Sequence, residues 1–168
     1  TKNLNTDVSH LSVVNSGALY IEEQDGINIA ELNTSNLLDI DTLNGDITGF
    51  DRNSPSVNSD LISTGILNLQ TQSGNIVLNG NNQLSGELNF TTQTTNDIEL
   101  RNTTIAQLNN VSTRNLTIVS TGANSHINQF DNNSVIYSSG LTRLSSSGNI
   151  DFSNSANDFT RIGVDTAK

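Results

Sequence analysis

The sequence predicts an all-β fold, a parallel β-solenoid, from three observations. Apolar residues alternate with polar ones in short runs that end at Gly, Asn, Asp or Ser. A longer pattern of such runs occurs twice along the chain. Asn, Ser, Thr and Gly together make up close to half of the residues, whereas charged residues are 14% and aromatic residues 4%. Strands with only two inward residues are too short for an ordinary sandwich core, but they suit a solenoid in which each strand stacks on the next turn.

The composition excludes several classes of protein. The 168 residues carry a formal charge of −10, and only seven of them are Lys or Arg. Nucleic acid is therefore excluded as a partner, because phosphate binding needs clustered cations. No apolar run of about 18 residues occurs, so no transmembrane segment is predicted. The absence of Cys excludes disulfides and thiolate metal sites. Without a starting Met or a signal-peptide pattern, we expect a mature product or a segment of a longer protein.

The elements are predicted in chain order from this alternation. Residues 1–17 have scattered apolar positions and are expected to form an irregular first turn. From residue 19 onward, apolar pairs at i and i+2 predict short strands whose two apolar residues share one face. These pairs are Leu19/Ile21, Ile27/Ile29, Leu38/Ile40, Leu67/Leu69, Ile76/Leu78, Ile98/Leu100, Leu116/Ile118, Ile150/Phe152 and Ile162/Val164. Helical apolar spacing is never sustained, so almost no helix is expected. Pro55 lacks a backbone donor and is predicted in a corner or loop, within an insertion at about 55–63.

Two copies of one unit are predicted within a single domain of 1–168. The first copy spans 18–93 and the second 94–168, and the matching positions are offset by 74 to 80 residues. The predicted structural repeat positions are Ile29, Leu32, Leu38, Ile40, Phe50, Gly74, Asn75 and Ile76 in the first copy, and Ile105, Leu108, Leu116, Ile118, Phe130, Gly148, Asn149 and Ile150 in the second. Turns of roughly 20 residues would give about eight turns in all. Asn75 and Asn149 lie at predicted corners, either as solvated turn residues or as side chains that bond along the axis.

Part of the chain resembles a known family of repeats. The segments are Thr95–Leu100, Ile105–Leu108, Asn115–Ile118, His126–Gln129, Gly148–Phe152 and Ala156–Phe159. They look like filamentous-haemagglutinin-type repeats of two-partner-secretion exoproteins, with residues 19–90 matching more loosely than 95–165. The resemblance implies a right-handed parallel β-helix that is exported through an outer-membrane transporter to the bacterial cell surface. The chain departs from the pattern in being richer in Asn and Asp and in lacking a secretion-signal domain or toxin tip. It therefore resembles the shaft of such an exoprotein.

The densest acidic region is the one candidate for a metal site. It contains Asp39, Asp41, Asp46 and Asp51, and grouped oxygen ligands are what Ca²⁺ prefers. However, Leu43 stands where an EF-hand loop needs its third oxygen ligand, and the glycine-rich calcium repeat is absent. We interpret these carboxylates as solvated surface groups, with a calcium site as the alternative. No other cofactor or metal is predicted.

The sequence does not predict an enzyme. His10 and His126 are the two histidines, and Ser125 is next to His126 only in sequence. A catalytic triad needs a His that is held by an acid and directed at a nucleophile, and no nucleophile-elbow motif occurs. Glycan-degrading β-helices gather carboxylates with cations or aromatics in a groove, whereas here such residues are dispersed. They are Arg52, Arg101, Arg114, Arg143, Arg161, Tyr20 and Tyr137.

Three functions follow in order of preference. The first is a stiff shaft or contact segment of a secreted or surface-displayed bacterial adhesin, whose partners are flanking repeats and host or cell-surface glycans or proteins. The second is a subunit of an extracellular filament that stacks head to tail on other copies, since solenoid ends offer unpaired edges. The third is an enzyme that acts on polysaccharides. The charged residues differ between the two copies, so any specific function is expected where the copies differ, at residues 39–51 and near Pro55.

Overall fold

A computed structural model describes residues 4–14, 17–51, 54–123 and 125–166, with the backbone alone described for residues 4, 5, 51, 54–57 and 166. Nineteen strands and no helix occur in these residues, so no helix in this part of the chain is suited to crossing a membrane. The strands are β1 (Leu4–Thr6), β2 (His10–Val14), β3 (Leu19–Glu23), β4 (Ile27–Thr34), β5 (Leu38–Thr42), β6 (Ile47–Thr48), β7 (Phe50–Asp51), β8 (Ser54–Asn58), β9 (Ile62–Ser63), β10 (Leu67–Thr71), β11 (Ile76–Leu84), β12 (Glu87–Thr91), β13 (Asp97–Asn102), β14 (Ala106–Thr113), β15 (Asn115–Ser120), β16 (Ile127–Gln129), β17 (Val135–Ser146), β18 (Ile150–Asp151) and β19 (Asp158–Thr166).

The strands wind as a parallel β-solenoid, which confirms the predicted fold class. Seventeen of them form one continuous sheet with parallel neighbours. One face stacks β1, β3, β5, β10, β12, β14 and β16. The other stacks β2, β4, β6 with β9, β11, β13 and β15. The long strand β17 pairs with β14 of one face and β15 of the other, and β19 pairs with β17 along its length. The short strand β18 extends the first face beyond β16.

The solenoid has about seven turns rather than the predicted eight. Turns differ in length, and this accounts for the smaller number. Stacked residues Asn68 and Asn89 are 21 positions apart, but Asp39 and Asn68 are 29 apart. The longer turn contains an insertion, so the chain length divides into fewer turns than a uniform 20-residue period predicts.

The core consists of rows of aliphatic side chains that stack along the axis. One row runs through Leu38, Leu67, Leu88 and Leu108, all with 0% exposure. A second row contains Phe90, which lies between Leu69 and Val111 of the neighbouring turns. Alternation at period two sends each apolar residue inward and its neighbours outward. Burial of such side chains contributes about 25 cal/mol per Å² of apolar surface, so each added turn extends one continuous core.

Buried asparagines hold the corner where the ladder is interrupted. The pairing of β11 with β13 shifts register between Leu78 and Asn82, which leaves backbone groups without strand partners. The Asn82 amide donates to the carbonyls of Leu78 and Arg101, both at 2.8 Å, and its Oδ1 accepts from the Leu61 amide at 3.0 Å. In the next turn Asn102 Oδ1 accepts from the Leu84 backbone amide, and the Asn102 side-chain amide donates to the Leu84 carbonyl, both at 2.9 Å. These buried side chains replace the hydrogen bonds that the strand loses.

Corresponding positions of the two predicted copies agree in burial at Leu32 and Leu108 but differ at Ile29 and Ile105. Ile29 and Leu32 are buried on β4, whereas Ile105 is 38% exposed in the turn before β14. Ala106 and Leu108 are the buried residues there. The pairing of β2 with β4 shifts register between Ile29 and Glu31, so that Ile29 and Leu32 are both buried although they are three residues apart. Among the other predicted repeat positions, Leu38, Ile40, Gly74, Ile76, Leu116 and Ile118 are buried, Phe50, Asn75, Gly148 and Ile150 are half-buried, and Phe130 and Asn149 are exposed.

Asn75 and Asn149 do not stack on one another. Asn75 instead bonds to the turns next to it, where its amide donates to Asp46 at 3.3 Å and its Oδ1 accepts from the Asp97 backbone at 2.9 Å. The Asn149 backbone donates to His126 at 2.8 Å. Asparagine stacking does occur in this molecule, but on the outer face and between other residues.

Two regions differ from the prediction in local detail. Residues 4–14 contain β1 and β2, which pair in parallel with β3 and β4, so the first turn is more regular than its scattered apolar pattern indicates. The insertion is a hairpin of β7 and β8 over residues 50–58, earlier than the predicted 55–63, and it is the antiparallel pair of the described chain. Pro55 lies within β8, not in a loop. A two-stranded hairpin leaves each strand with an open edge, where a missing N–H is tolerated.

Candidate functional surface

The outward side of β5, β10, β12 and β14 forms a surface that we call the polar face. Its central feature is a chain of side-chain hydrogen bonds, the amide ladder, made by Asp39, Asn68, Asn89 and Asn110. The Asn110 amide donates to Asn89 Oδ1 at 3.3 Å, Asn89 donates to Asn68 Oδ1 at 2.9 Å, and Asn68 donates to Asp39 Oδ2 at 3.2 Å. All donors therefore point toward the N-terminal end, and the chain of dipoles ends on a carboxylate.

Local sequence and register together create this ladder. Asn68 stands between Leu67 and Leu69, and Asn89 between Leu88 and Phe90, so each points outward while its neighbours are buried. The strands pair with Asp39 opposite Asn68 and Asn68 opposite Asn89. Parallel strands lie about 4.8 Å apart, a distance that one side-chain amide bond bridges. Hydrogen bonds in such chains polarise one another, which strengthens the series.

A branch connects the ladder to Glu87. Its Oε1 accepts from the Asn89 amide at 2.9 Å and from the Asn109 amide at 2.5 Å. Asn109 Oδ1 in turn accepts from the Ser134 hydroxyl at 3.0 Å. The bulge between β12 and β14 places both Asn109 and Asn110 next to the preceding turn. This end of the polar face is therefore fixed by its own hydrogen bonds.

The other end of the polar face has an unfavourable concentration of negative charge. Burial, together with the neighbouring carboxylates of Glu22 and Asp39, raises the pKa of Asp41. The Gln70 amide donates to Asp41 Oδ2 at 3.5 Å and opposes that rise, while the buried Oδ1 of Asp41 has no hydrogen-bond partner. The outward positions of β3, β5, β10, β12 and β14 include no Lys or Arg, so the only formal charges at these positions are negative.

The polar face is also concave. A groove of about 430 Å³ runs along it, bordered on one side by Leu37 and Ile66. Ile66 is 39% exposed, so this border is apolar and open to solvent. The floor and the opposite side are formed by the ladder residues Asp39, Asn68, Asn89 and Asn110, together with Leu69, Gln70, Glu87, Thr91 and Asn109. Tyr20 stacks on Asp39 in the preceding turn and extends the face by one aromatic side chain.

The structure separates the four aspartates considered for calcium. Asp39 and Asp41 share the polar face, but Asp46 lies in the turn after β5, where it accepts from the Asn75 backbone at 2.7 Å. Asp51 is in the hairpin strand β7, and its side chain lies outside the described residues. Among the described residues, no three His, Cys, Asp or Glu side chains are arranged to hold a metal ion.

The residues considered for catalysis make structural contacts, or line a second groove in which two of the arginines meet two carboxylates. His126 Nδ1 accepts from the Asn149 backbone, and His10 Nδ1 contacts the Ser9 hydroxyl at 2.8 Å. The Ser125 hydroxyl contacts that of Ser147 at 3.0 Å and is not paired with His126. Arg143 on β17 and Arg161 on β19 line a groove of about 330 Å³ with Asp97 and Glu99, so these cations are less dispersed than the sequence predicts. Arg114 binds Asp97 through two bonds of 2.9 Å. Arg101 lies on β13 and Tyr137 on β17, while Arg52 lies outside the described residues.

The sequence reasoning did not identify Asn68, Asn89 and Asn110 as members of one site. A signal existed, because Leu-Asn-Leu at 67–69 and Leu-Asn-Phe at 88–90 place Asn between two inward apolar residues. This pattern does not show which residues of neighbouring turns stack on one another, because the spacing is irregular. Asp39 precedes Asn68 by 29 residues, whereas Asn89 follows it by 21. Asp39 and Asn68 can be recognised as stacked residues only when the hairpin inserted between them is known.

Comparison with known proteins does not assign the chain to a family. No protein-family description, no curated protein and no solved structure matches it.

Proposed function

We propose that this chain is a non-catalytic shaft and contact segment of a secreted or surface-displayed bacterial adhesin. The observation that carries the proposal is the parallel pairing that joins seventeen strands into one sheet around a single continuous core. Each turn is bonded to the turns before and after it, so bending the rod requires breaking several backbone bonds at once. A polar outer surface surrounds this core along its length, and the net charge of −10 favours solubility.

The resemblance to filamentous-haemagglutinin-type repeats supports the same reading. Repeats of this kind belong to exoproteins of two-partner secretion, so we propose an extracellular location and export through an outer-membrane transporter. Partners in this proposal are flanking repeats of the same protein and glycans or proteins of a host or neighbouring cell. A solenoid is suited to this task because its length grows by about 4.8 Å with each turn while its width stays constant.

Removal of one whole turn tests the mechanical role. Leu116 stacks on Thr142, so deletion of 117–142 joins two equivalent points and preserves the register of the remaining stack. Deletion of 117–128 removes part of the turn and serves as the control that breaks the register. Cells producing the full protein, either deletion, or a protein that lacks 18–166 are compared for attachment to surfaces and for antibody access on intact cells.

The proposal expects attachment to survive the one-turn deletion and to be lost in the control and in the large deletion. Surface access of the antibody is expected for the full protein. Equal attachment by cells that lack 18–166, or a protein inaccessible on intact cells, contradicts the adhesin function.

A second candidate function, a filament subunit, is favoured by one specific feature. The last described strand β19 exposes its inward apolar row, with Ile162 at 51% and Val164 at 55% exposure. Charge is also uneven: residues 1–93 contain eleven acidic and two basic residues, and 94–168 contain six and five, which gives −9 and −1. Head-to-tail stacking would cover the apolar row and bring the less negative end against the more negative one. Long polymers in sedimentation at tens of micromolar support this function, and a monomer contradicts it.

A further inference from the structure

We infer that the groove of the polar face binds a neutral oligosaccharide that lies extended along the solenoid axis. This inference rests on the proposed adhesin function, for which it names a partner class and a site. The groove crosses the four turns of β5, β10, β12 and β14, so its length is about 14 Å at one turn per 4.8 Å. A ligand that follows the axis meets the same kind of polar group at each turn.

Unused hydrogen-bonding capacity in the ladder supplies the first argument. A side-chain amide has two N–H donors and two acceptor lone pairs. Asn68, which lines the groove, uses one donor on Asp39 and one lone pair on Asn89, so these two bonds leave one donor and one lone pair unused. Asn89, in contrast, donates to both Asn68 and Glu87 and accepts from Asn110. The open groups therefore lie at Asn68 and Gln70, with Asp39 and Asn110 at either end.

Sugar hydroxyls match this arrangement. Each hydroxyl both donates and accepts, so a pair of adjacent hydroxyls pairs with the free N–H and the free lone pair of one amide. Asn68 is held in place by its two ladder bonds, which lowers the entropic cost of orienting it for a ligand. Leu37 and Ile66 border the groove and offer apolar surface to the C–H groups of a sugar ring. The aromatic ring of Tyr20 stands one turn beyond Asp39.

Charge decides between classes of glycan. Asp39, Asp41 and Glu87 lie on outward positions of the polar face, and no Lys or Arg lies on its outward positions. An anionic glycan is repelled by these carboxylates, so the inference selects a neutral one. A cationic glycan would instead bind by charge alone, and its binding would fall steeply with salt.

The test uses the full chain and a panel of defined hexasaccharides. Neutral probes are the β-1,4-linked hexamers of glucose, mannose, xylose and N-acetylglucosamine; a polygalacturonate fragment is the anionic probe, and a glucosamine hexamer is the cationic one. Binding is measured by calorimetry and by NMR shifts of the Asn and Gln side-chain amides. The inference expects at least one neutral probe to bind, with shifts confined to the amides of the groove.

Two variants identify the site. The double variant N68A/Q70A removes the open amides of β10, and at about 1 kcal/mol per hydrogen bond it should weaken binding by roughly tenfold or more. The matched control is N79A, since Asn79 is an outward Asn with one inter-turn bond, to Glu99 at 3.0 Å, on the other face. It should bind like the wild type. Circular dichroism and the unfolding midpoint establish that both variants remain folded.

Several outcomes overturn the inference. They are no binding of any neutral hexamer at millimolar concentration, equal loss in N68A/Q70A and N79A, or binding restricted to a charged probe. Attachment assays separate this failure from that of the proposed function. If cells that lack 18–166 lose attachment while cells with N68A/Q70A keep it, the adhesin function stands and the groove is not its glycan site.

Discussion

Replacement of Asn82 is the sharpest test of how the corners are held. Its side chain is fully buried and makes three hydrogen bonds to backbone groups, of Leu61, Leu78 and Arg101. Asn82→Leu keeps the size of the side chain but leaves those groups without a partner. At about 1 kcal/mol net for each bond, the free energy of unfolding should fall by about 3 kcal/mol. The loss should be larger if no water molecule replaces the lost hydrogen bonds of these backbone groups.

The neighbouring residue provides a matched control. Asn81 is exposed on the same strand, and its backbone, not its side chain, donates to Asp60 at 2.8 Å. Asn81→Leu should change the free energy of unfolding by less than about 0.5 kcal/mol. Both variants are measured by urea unfolding followed by far-UV circular dichroism, with the slope compared to that of the wild type. A loss for Asn82→Leu that is no larger than that for Asn81→Leu refutes the role assigned to the buried amide.

Three further predictions concern the core, the turns and pH. Phe90→Ala empties a fully buried position and should cost about 3–5 kcal/mol in the same urea assay; a loss below about 1 kcal/mol would show that the row collapses around the gap. Gly74→Ala should also destabilise, because a Cβ there would lie 1.9 Å from the Gly45 carbonyl oxygen, whereas Gly17→Ala meets nothing within 4 Å and serves as its control. The pKa of Asp41 is raised in the folded state, so its stabilising contribution is present below its unfolded pKa and is lost as pH rises through the folded pKa. Asp41→Asn should therefore stabilise the protein at pH 7, and the gain should disappear near pH 3; a gain independent of pH contradicts this cause.

Surface ion pairs contribute little to this fold by comparison. Arg114 and Asp97 form a two-bond pair, and the hydrogen bonds from Arg114 lower the pKa of Asp97. Both side chains are partly open to solvent, at 47% and 31% exposure. An exposed pair of this kind is typically worth less than about 1 kcal/mol. Stability in this solenoid depends instead on the buried rows and on the polar side chains that close each corner.

The parallel β-solenoid was predictable because it depends on short-range patterns. Pairs such as Leu67 and Leu69 or Leu116 and Ile118 show the alternation of period two that predicts a strand. The turn residues between the pairs indicate where each strand ends. The absence of sustained helical spacing made the all-β prediction secure. These signals are local, so they require no knowledge of which turn stacks on which.

The repeat positions show where local signals are insufficient. Two segments are similar in sequence, Ile29-Ala30-Glu31-Leu32 and Ile105-Ala106-Gln107-Leu108. Nevertheless Ile29 is buried and Ile105 is exposed. β4 stacks on β2 and β6, whereas β14 stacks on β12 and β16, so the same letters meet different neighbours. Leu32 and Leu108 are both buried, so the difference is confined to the first position, where a register shift in β4 keeps Ile29 inward.

The sequence by itself determined that this protein is built from short stacked strands with an aliphatic interior and a polar exterior that carries a net negative charge. Only the tertiary structure decided that Asp39, Asn68 and Asn89 form one ladder, and that Asp46 is apart from Asp39 and Asp41. The physical reason is that contacts between turns depend on turn length. The hairpin at 50–58 lengthens one turn, and every contact across that turn moves with it. The alternation of apolar and polar residues specifies whether a side chain points inward or outward. The stacking of turns specifies which side chains of the neighbouring turns it contacts.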